Sequence, residues 1–580
     1  MFELWPITRQ RNLLGFFYAM KRIFTFKSKS FLLFLLSLLA LVGCNKDNDI
    51  TIPLKPEISF EQQRFPLKMG QSIVLQPQVE NHDSQISYLW TMQGVTLSNS
   101  LSYTFVAEKV GTYILAFTAT NSSGSTSENV RIDVSELAPP QIAFAVGSER
   151  VFEMVMGRKY TLSPDIVSQG QCRLEWSLDG KHMGNEKSLD LSFDQTGDHT
   201  LLLSAENSDG KSHEELTLRV LSHINDMFYI PTSRHIPLGR TLYLEPTLWD
   251  MEPEEVSFEW SLPGEVIGTE SMLRYTPKEL GKEKITLKVS ANGHTEVREI
   301  EVECPPSEQE LIRPSEQTSQ ASCSKVFSYT PAAGQFINET NSGFRGENTP
   351  EAAVAYAERR LKEQNYLSLG AWGGEIIVGF DHSVEESFSI GGNFYEGSSE
   401  AGIVWVMQDT NQNGLPDDEW YELRGSEWGG ENHHQLHAIT YYRPKTEGGN
   451  ILWRDNKLQT GCVYRNGTHT QETYFPSWIS ADSYTLYGSW LNANTVREST
   501  GKYVNNAYAW GYADNEGEDS TKGGDDGAKS YVEFKIENAV NADGTPANLL
   551  YIDFVRVQTA ISHTAGELGE ISTEITYIGE

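Results

Sequence analysis

Cysteine is scarce, five in 580 residues, and no CxxC pair occurs, so the spacing matches no thiolate zinc site. Basic residues are also in short supply. Lys and Arg number 46 against 79 Asp and Glu, a formal net charge of −33, which makes nucleic acid and anionic membrane surfaces poor partners and cations better ones. After residue 43 no apolar run is long enough to cross a bilayer. Regular strand–helix alternation is missing too, which excludes a fully parallel α/β sheet. No phosphate-binding loop or dinucleotide fingerprint occurs.

What is present begins with an address. Lys21, Arg22, Lys27 and Lys29 precede FLLFLLSLLALVG, Phe31 to Gly43, the basic and apolar regions of a secretory leader. Residues 1–19 fit no such anatomy, and Met20 reads as the natural start. Leu41-Val42-Gly43-Cys44 resembles a bacterial lipobox, which implies lipidation at Cys44 and an outer-membrane anchor. The NKDND that follows resembles the acidic export tag of Bacteroidota surface lipoproteins, which implies a chain facing the cell exterior.

Residues 56–304 repeat. YLWTMQG, LEWSLDG and FEWSLPG align on Trp90, Trp176 and Trp260, and from these to Gly111, Gly197 and Gly281 the step is the same 21 residues. Gly70, Gly157 and Gly239 each precede a proline by seven. Short alternating runs between Gly, Asn, Asp and Pro predict three seven-stranded sandwiches, 56–136, 137–222 and 223–304, each packed around its Trp. The W-S/T strand and the G-x-Y-T-L-x-L-x-A-x-N hairpin resemble polycystic-kidney-disease (PKD)-type immunoglobulin-like domains. That resemblance implies spacers or adhesion surfaces without catalytic groups.

Residues 305–323 are polar and proline-punctuated, and read as an extended spacer after the modules. Cys304 and Cys323 bracket it and are the first disulfide expected, while Cys172 and Cys462 are expected as buried free thiols. From 324 to 580 the chain becomes aromatic- and glycine-rich. One helix is predicted, TPEAAVAYAERRLKEQ, with Thr349 as N-cap and Pro350 at its first position. The rest reads as strands, so the expected fold class is all-β: three immunoglobulin-like modules after a leader (1–43) and a tether (44–55), then a larger sandwich or jelly roll. The stretches LSLGAWGGEIIVGFDHSV, GIVWVMQDTNQNGLPDDEWYEL, WGYADNEG and GELGEISTEI resemble the C-terminal domain of Bacteroidota cell-surface lipoproteins. Some of that family sit beside cobalamin or glycan uptake systems, which implies nutrient capture next to an outer-membrane transporter.

Within DTNQNGLPDDEWYEL, oxygen-bearing side chains at Asp409, Asn411, Asn413 and Asp417 follow the register of a calcium loop, with Gly414 at its bend. Trp420 stands where a bidentate Glu belongs, and Asp418, Glu419 and Glu422 are the nearby substitutes. A calcium-braced hairpin is therefore expected, the alternative being a metal-free Asn/Gly turn. The acidic stretch 513–527 reads as a mobile surface loop, the alternative being an ion site. His433, His434 and His437 read as solvated loop histidines, since an HxxxH pair suits a metal only on a helix. Trp372, Trp428 and Trp510 lie in glycine-rich loops and are the candidate stacking platforms for a sugar or another planar ligand. The expectation is a non-enzymatic surface protein that binds a glycan or small nutrient. The alternatives are a hydrolase with a jelly-roll catalytic domain and a purely structural adhesin.

Overall fold

The computed structural model describes residues 54–81, 83–523 and 530–580. The leader, Cys44 and nearly all of the tether lie outside them. Among the described residues no helix is long and apolar enough to cross a membrane. The chain divides into two compact units, residues 1–136 and 137–580. The first repeat therefore closes on itself, while the second and third share one body with the C-terminal domain.

The fold is all-β, and the repeats are immunoglobulin-like. In each, an early strand runs parallel to the last one: Arg64–Lys68 with Gly124–Ser135, Val151–Val155 with Gly210–Leu221, and Ser233–His235 with His294–Cys304. The last strand then pairs with a long antiparallel partner, which pairs in turn with the Trp strand. Trp90, Trp176 and Trp260 are fully buried, and each indole N–H donates to a carbonyl ten or eleven residues on: Leu101 (3.3 Å), Glu186 (2.8 Å) and Glu270 (2.9 Å). One bond satisfies the ring's single donor, so a large apolar body is buried with no polar debt. Gly70, Gly157 and Gly239 hold φ of +86°, +81° and +89°, left-handed turns that an L side chain resists by about 1–2 kcal/mol.

The C-terminal domain is layered. Its central antiparallel sheet has the order Lys325–Thr330, Glu375–Val384, Ile552–Thr559, Gly402–Met407, Trp420–Leu423, Ala539–Val540. One face carries Ile376, Val378, Val404, Val406, Val555 and Val557 into the largest core, against the helix Pro350–Lys362 and the strands Ser387–Gly391 and Tyr531–Lys535. Thr349 caps that helix, accepting from Ala352 N at 3.2 Å. A second sheet, built on His433–Tyr442 and Ser483–Leu491, covers part of the other face. It is fixed by the Gln558 amide, which donates to Tyr487 O at 2.9 Å.

Several expectations are corrected here. The 305–323 segment is no free spacer. Arg313 reaches Asp553 at 2.6 Å and Cys323 N donates to Ile578 O at 2.9 Å, because polar groups of a segment laid against the domain must find partners there. Cys304 and Cys323 are free thiols, as are Cys172 and Cys462; the segment between the expected pair is held by these contacts instead. The second and third modules are not spacers in series either, since both pack on the C-terminal domain. Asn450 donates to Asp165 (2.9 Å), Asn456 to Leu248 O (3.0 Å), Lys457 pairs with Glu252 (2.7 Å), and Ala145 joins Tyr442 and Leu452 in a small apolar cluster.

Candidate functional site: an interdomain cleft and its acidic loop

Paired residues on neighbouring strands point to the same face of a sheet. The pairs Ile377–Arg556, Arg556–Trp405, Trp405–Glu422 and Glu422–Val540 thus form one row across five strands, on the face opposite the valine core. The second sheet covers only part of that face. The rest is the floor of a cleft of about 530 Å³, walled by the third module through Tyr229, Tyr243 and Glu245, a size and interdomain position usual for ligand sites. Tyr229 stacks on Tyr487 across the boundary, ring centroids 4.0 Å apart.

The charges of this wall are already matched. Arg556 Nε donates to Glu375 Oε2 at 2.6 Å and Nη2 donates to Tyr487 O at 2.8 Å. Glu422 is buried, its oxygens 2.8 Å from His433 Nε2 and 2.6 Å from Ser489 Oγ. Two groups stand apart. The Trp405 indole nitrogen is buried without a hydrogen-bond partner, and half-buried Glu245 accepts one bond, from Ser271 at 3.2 Å. Burial raises the Glu245 carboxyl above its ordinary range.

The acidic loop forms one lip of the cleft and joins two paired strands, as a braced hairpin requires. Asp409 is buried and curls the chain around itself, accepting from Asn413 N (3.1 Å) and Gly414 N (3.0 Å). Asn411 and Asn413 turn their side chains to the Asp417 carboxylate, at 3.2 and 3.0 Å. Their own oxygens accept backbone N–H groups, Asn411 Oδ1 from Asn413 N (2.9 Å) and Asn413 Oδ1 from Leu415 N (2.7 Å), so the turn is closed by hydrogen bonds among the residues that a hard cation would draw on. The nearby substitutes face elsewhere, Glu422 to His433 and Ser489. Asp418 accepts from Thr410 N and Oγ1 (2.9 and 2.7 Å) and lies 3.4 Å from His235; burial pushes its carboxyl up to about 7. Glu419 is corrected outright, because it chelates the Arg234 guanidinium, with Nε donating at 2.8 Å. Asp418 and Glu419 thus clamp two consecutive residues of the third module. His235 with Asp417 and Asp418 forms a second potential donor group, whose imidazole suits a transition metal better than calcium.

A third constellation was not foreseen. Oxygens of Glu400, Asp514 and Glu574 lie within 4.8 Å of one another. Asp514 accepts from Asn393 N, Phe394 N and Glu574 N at 2.9–3.0 Å, and Ser572 donates to Glu574 at 2.7 Å. Burial and mutual repulsion hold Glu400 and Asp514 well above the carboxylate range. Burial likewise raises Glu574 to about 7 and neighbouring Glu570 to about 8. The expected mobile loop at 513–527 is therefore partly core: Ala513, Asp514 and Asn515 are buried, and residues 524–529 lie outside the described ones.

The expected aromatic platforms do not meet in the cleft. Trp372 is fully buried and donates to Ser489 O at 3.1 Å. The glycines around it serve close packing, for a Cβ at Gly374 would sit 1.8 Å from Leu369 O. Trp428 is half-buried over Gly544 and tilted on His433, and half-buried Trp510 holds the neighbouring loop through Ser426 N. The histidines are strand residues, not solvated ones. His433 bonds Glu422, His434 stacks on Trp490, and burial lowers His437 to about 4. The signal for the cleft was the alternation in GIVWVM, EWYEL and FVRV, whose second face carries Trp405, Glu422 and Arg556.

The fold and the cleft define the class as far as the described residues go: immunoglobulin-like β-sandwich modules joined to a layered β domain. In sequence, the PKD-like domain family matches residues 53–121. No curated protein matches the chain. Among solved structures the chain is similar to the I-band fragment I67–I69 of titin (15% identity, 43% of this chain and 99% of that one, TM-score 0.21). It is also similar to the three N-terminal domains of the highly immunogenic outer capsid protein Hoc of bacteriophage RB49 (14% identity, 43% and 98%, TM-score 0.21).

Proposed function

We propose that the chain is a surface lipoprotein of the outer membrane, anchored by lipid at Cys44 and facing the cell exterior, that captures a nutrient or glycan without turning it over. The cleft between the third module and the C-terminal domain carries this reading. It is concave and aromatic-lined, and it is held open by stacked tyrosines and a double clamp at Arg234 and His235. Three of its carboxylates, Glu375, Glu419 and Glu422, are engaged by Arg556, Arg234, and His433 with Ser489, which gives those three a structural part in the wall. An outer-membrane transporter is the partner that such capture would serve.

Calcium belongs to the same proposal, as a brace. Asp409, Asn411, Asn413 and Asp417 would hold it, and the ion would supply charge neutralisation where carboxylates crowd. Calorimetric titration of the full chain with calcium, and with glycan fragments and a corrinoid in calcium and in chelator, tests both parts. Calcium at 100 times its Kd is expected to stabilise the chain by about 2.7 kcal/mol. No heat of binding and no change in melting temperature would remove the brace, and turnover of any ligand would remove the binding-only reading.

A further inference from the structure

We infer, building on that capture reading, that the cleft selects a neutral polyhydroxylated ligand, a saccharide, and rejects anionic ones. The two guanidiniums on its wall, Arg234 and Arg556, are neutralised by Glu419 and Glu375. Glu245 and Asp417 add further carboxylates, and the cleft lining holds no third Arg or Lys. A phosphate or carboxylate entering this cleft loses its hydration and finds no free positive partner to offset that loss.

A cationic ligand suits the charge but not the donors. The buried Trp405 N–H requires an acceptor, and an ammonium or guanidinium offers none. A hydroxyl both accepts and donates, so one polyol satisfies the Trp405 N–H and the spare lone pairs of Glu245 together. The apolar face of a sugar ring matches the aromatic part of the floor, where Trp420 stands two pairs along from Trp405 on the same face, Trp405 itself lying beneath the Arg556 guanidinium. Because Trp405 belongs to the C-terminal domain and Glu245 to the third module, recognition needs both. The clamp of Arg234 and His235 then serves as the means of keeping the two halves in register.

The test is titration of the full chain, read by calorimetry and tryptophan fluorescence, against neutral oligosaccharides, matched uronate oligosaccharides and sugar phosphates. Neutral fragments are expected to bind at least about tenfold more tightly than their anionic counterparts. Trp405→Phe keeps the ring and removes the donor; this variant and Glu245→Gln are each expected to weaken neutral binding about tenfold, the scale of one lost hydrogen bond. Lys284→Ala, on an exposed pair of the third module outside the cleft lining, is expected to leave it unchanged. Melting temperatures equal to the parent's keep the two cleft variants interpretable, and either variant alone suffices if the other fails to fold. Equal or tighter binding of the anionic sugars overturns the selectivity and leaves the capture reading standing. Undiminished neutral binding in both cleft variants overturns the location. Absence of binding by every probe, a corrinoid included, overturns the capture reading itself.

Discussion

In the second repeat, Trp176 sits at the centre with Leu174, Leu201 and Leu203 around it, and its one polar atom is satisfied by one carbonyl. At the same depth in the C-terminal domain stand Asp514, Asn515, Gln558, Thr559 and Glu574. The repeat keeps its charges outside, as in Arg219 with Asp198 or Lys159 with Asp190. The C-terminal domain buries carboxylates against backbone N–H groups and against one another. One region draws its stability from apolar area, which is indifferent to pH. The other spends part of its interior on polar networks that a saturated core would not need, and such networks mark regions shaped by a ligand or a fixed geometry as well as by stability.

The comparison breaks most easily at the tryptophans. Trp260→Ala removes the centre of the third module and is expected to cost about 3–5 kcal/mol, read by urea unfolding. Because that module walls the cleft, ligand binding should fall with it.

Titration sharpens the contrast further. Glu574 and Glu570 hold protons in the folded state up to about pH 7 and 8, whereas the unfolded chain releases them near pH 4.5. Their contribution is thus present at low pH and lost as pH rises through 7 to 8. Between pH 7.5 and 8.5, where His437 is largely neutral whether folded or not, the melting temperature of the 137–580 unit is expected to fall. Glu570→Gln should flatten that slope, as differential scanning calorimetry would show. The first repeat should not follow, because Asp133, held at about 2 by Arg131, Thr112 and Arg64, loses its contribution only as pH falls below 4.

The smallest effect is expected on the modules' outer faces. Lys284→Ala breaks a pair with Glu299 in which both side chains are largely exposed, and no measurable shift in melting temperature should follow. A clear shift would show that these surface charges carry stability after all.

The repeats were legible because their signal is local. Trp, Gly and Pro recur at fixed steps, and a strand's period of two puts each apolar residue on a known side. The capped helix at Thr349 and Pro350 was legible for the same reason. The turn itself was too: Asp409, Asn411, Asn413 and Asp417 meet through hydrogen bonds between two paired strands, as an Asp- and Asn-rich stretch around one Gly implies. Asp418 and Glu419 were not, since nothing near them announces His235 and Arg234, more than 180 residues earlier. Trp372 was misread because glycine-rich sequence does not distinguish an open loop from one crowded against its neighbours.

The sequence by itself determined the modules, their number, their tryptophan cores, the single helix and the strand-flanked acidic turn, all consequences of short-range periodicity and backbone preference. Only the tertiary structure decided that two modules dock on the C-terminal domain, that Trp405, Glu245 and Tyr229 face one cleft, and that Glu400, Asp514 and Glu574 converge. Those contacts join residues distant along the chain through side-chain charge and shape, which no local pattern encodes.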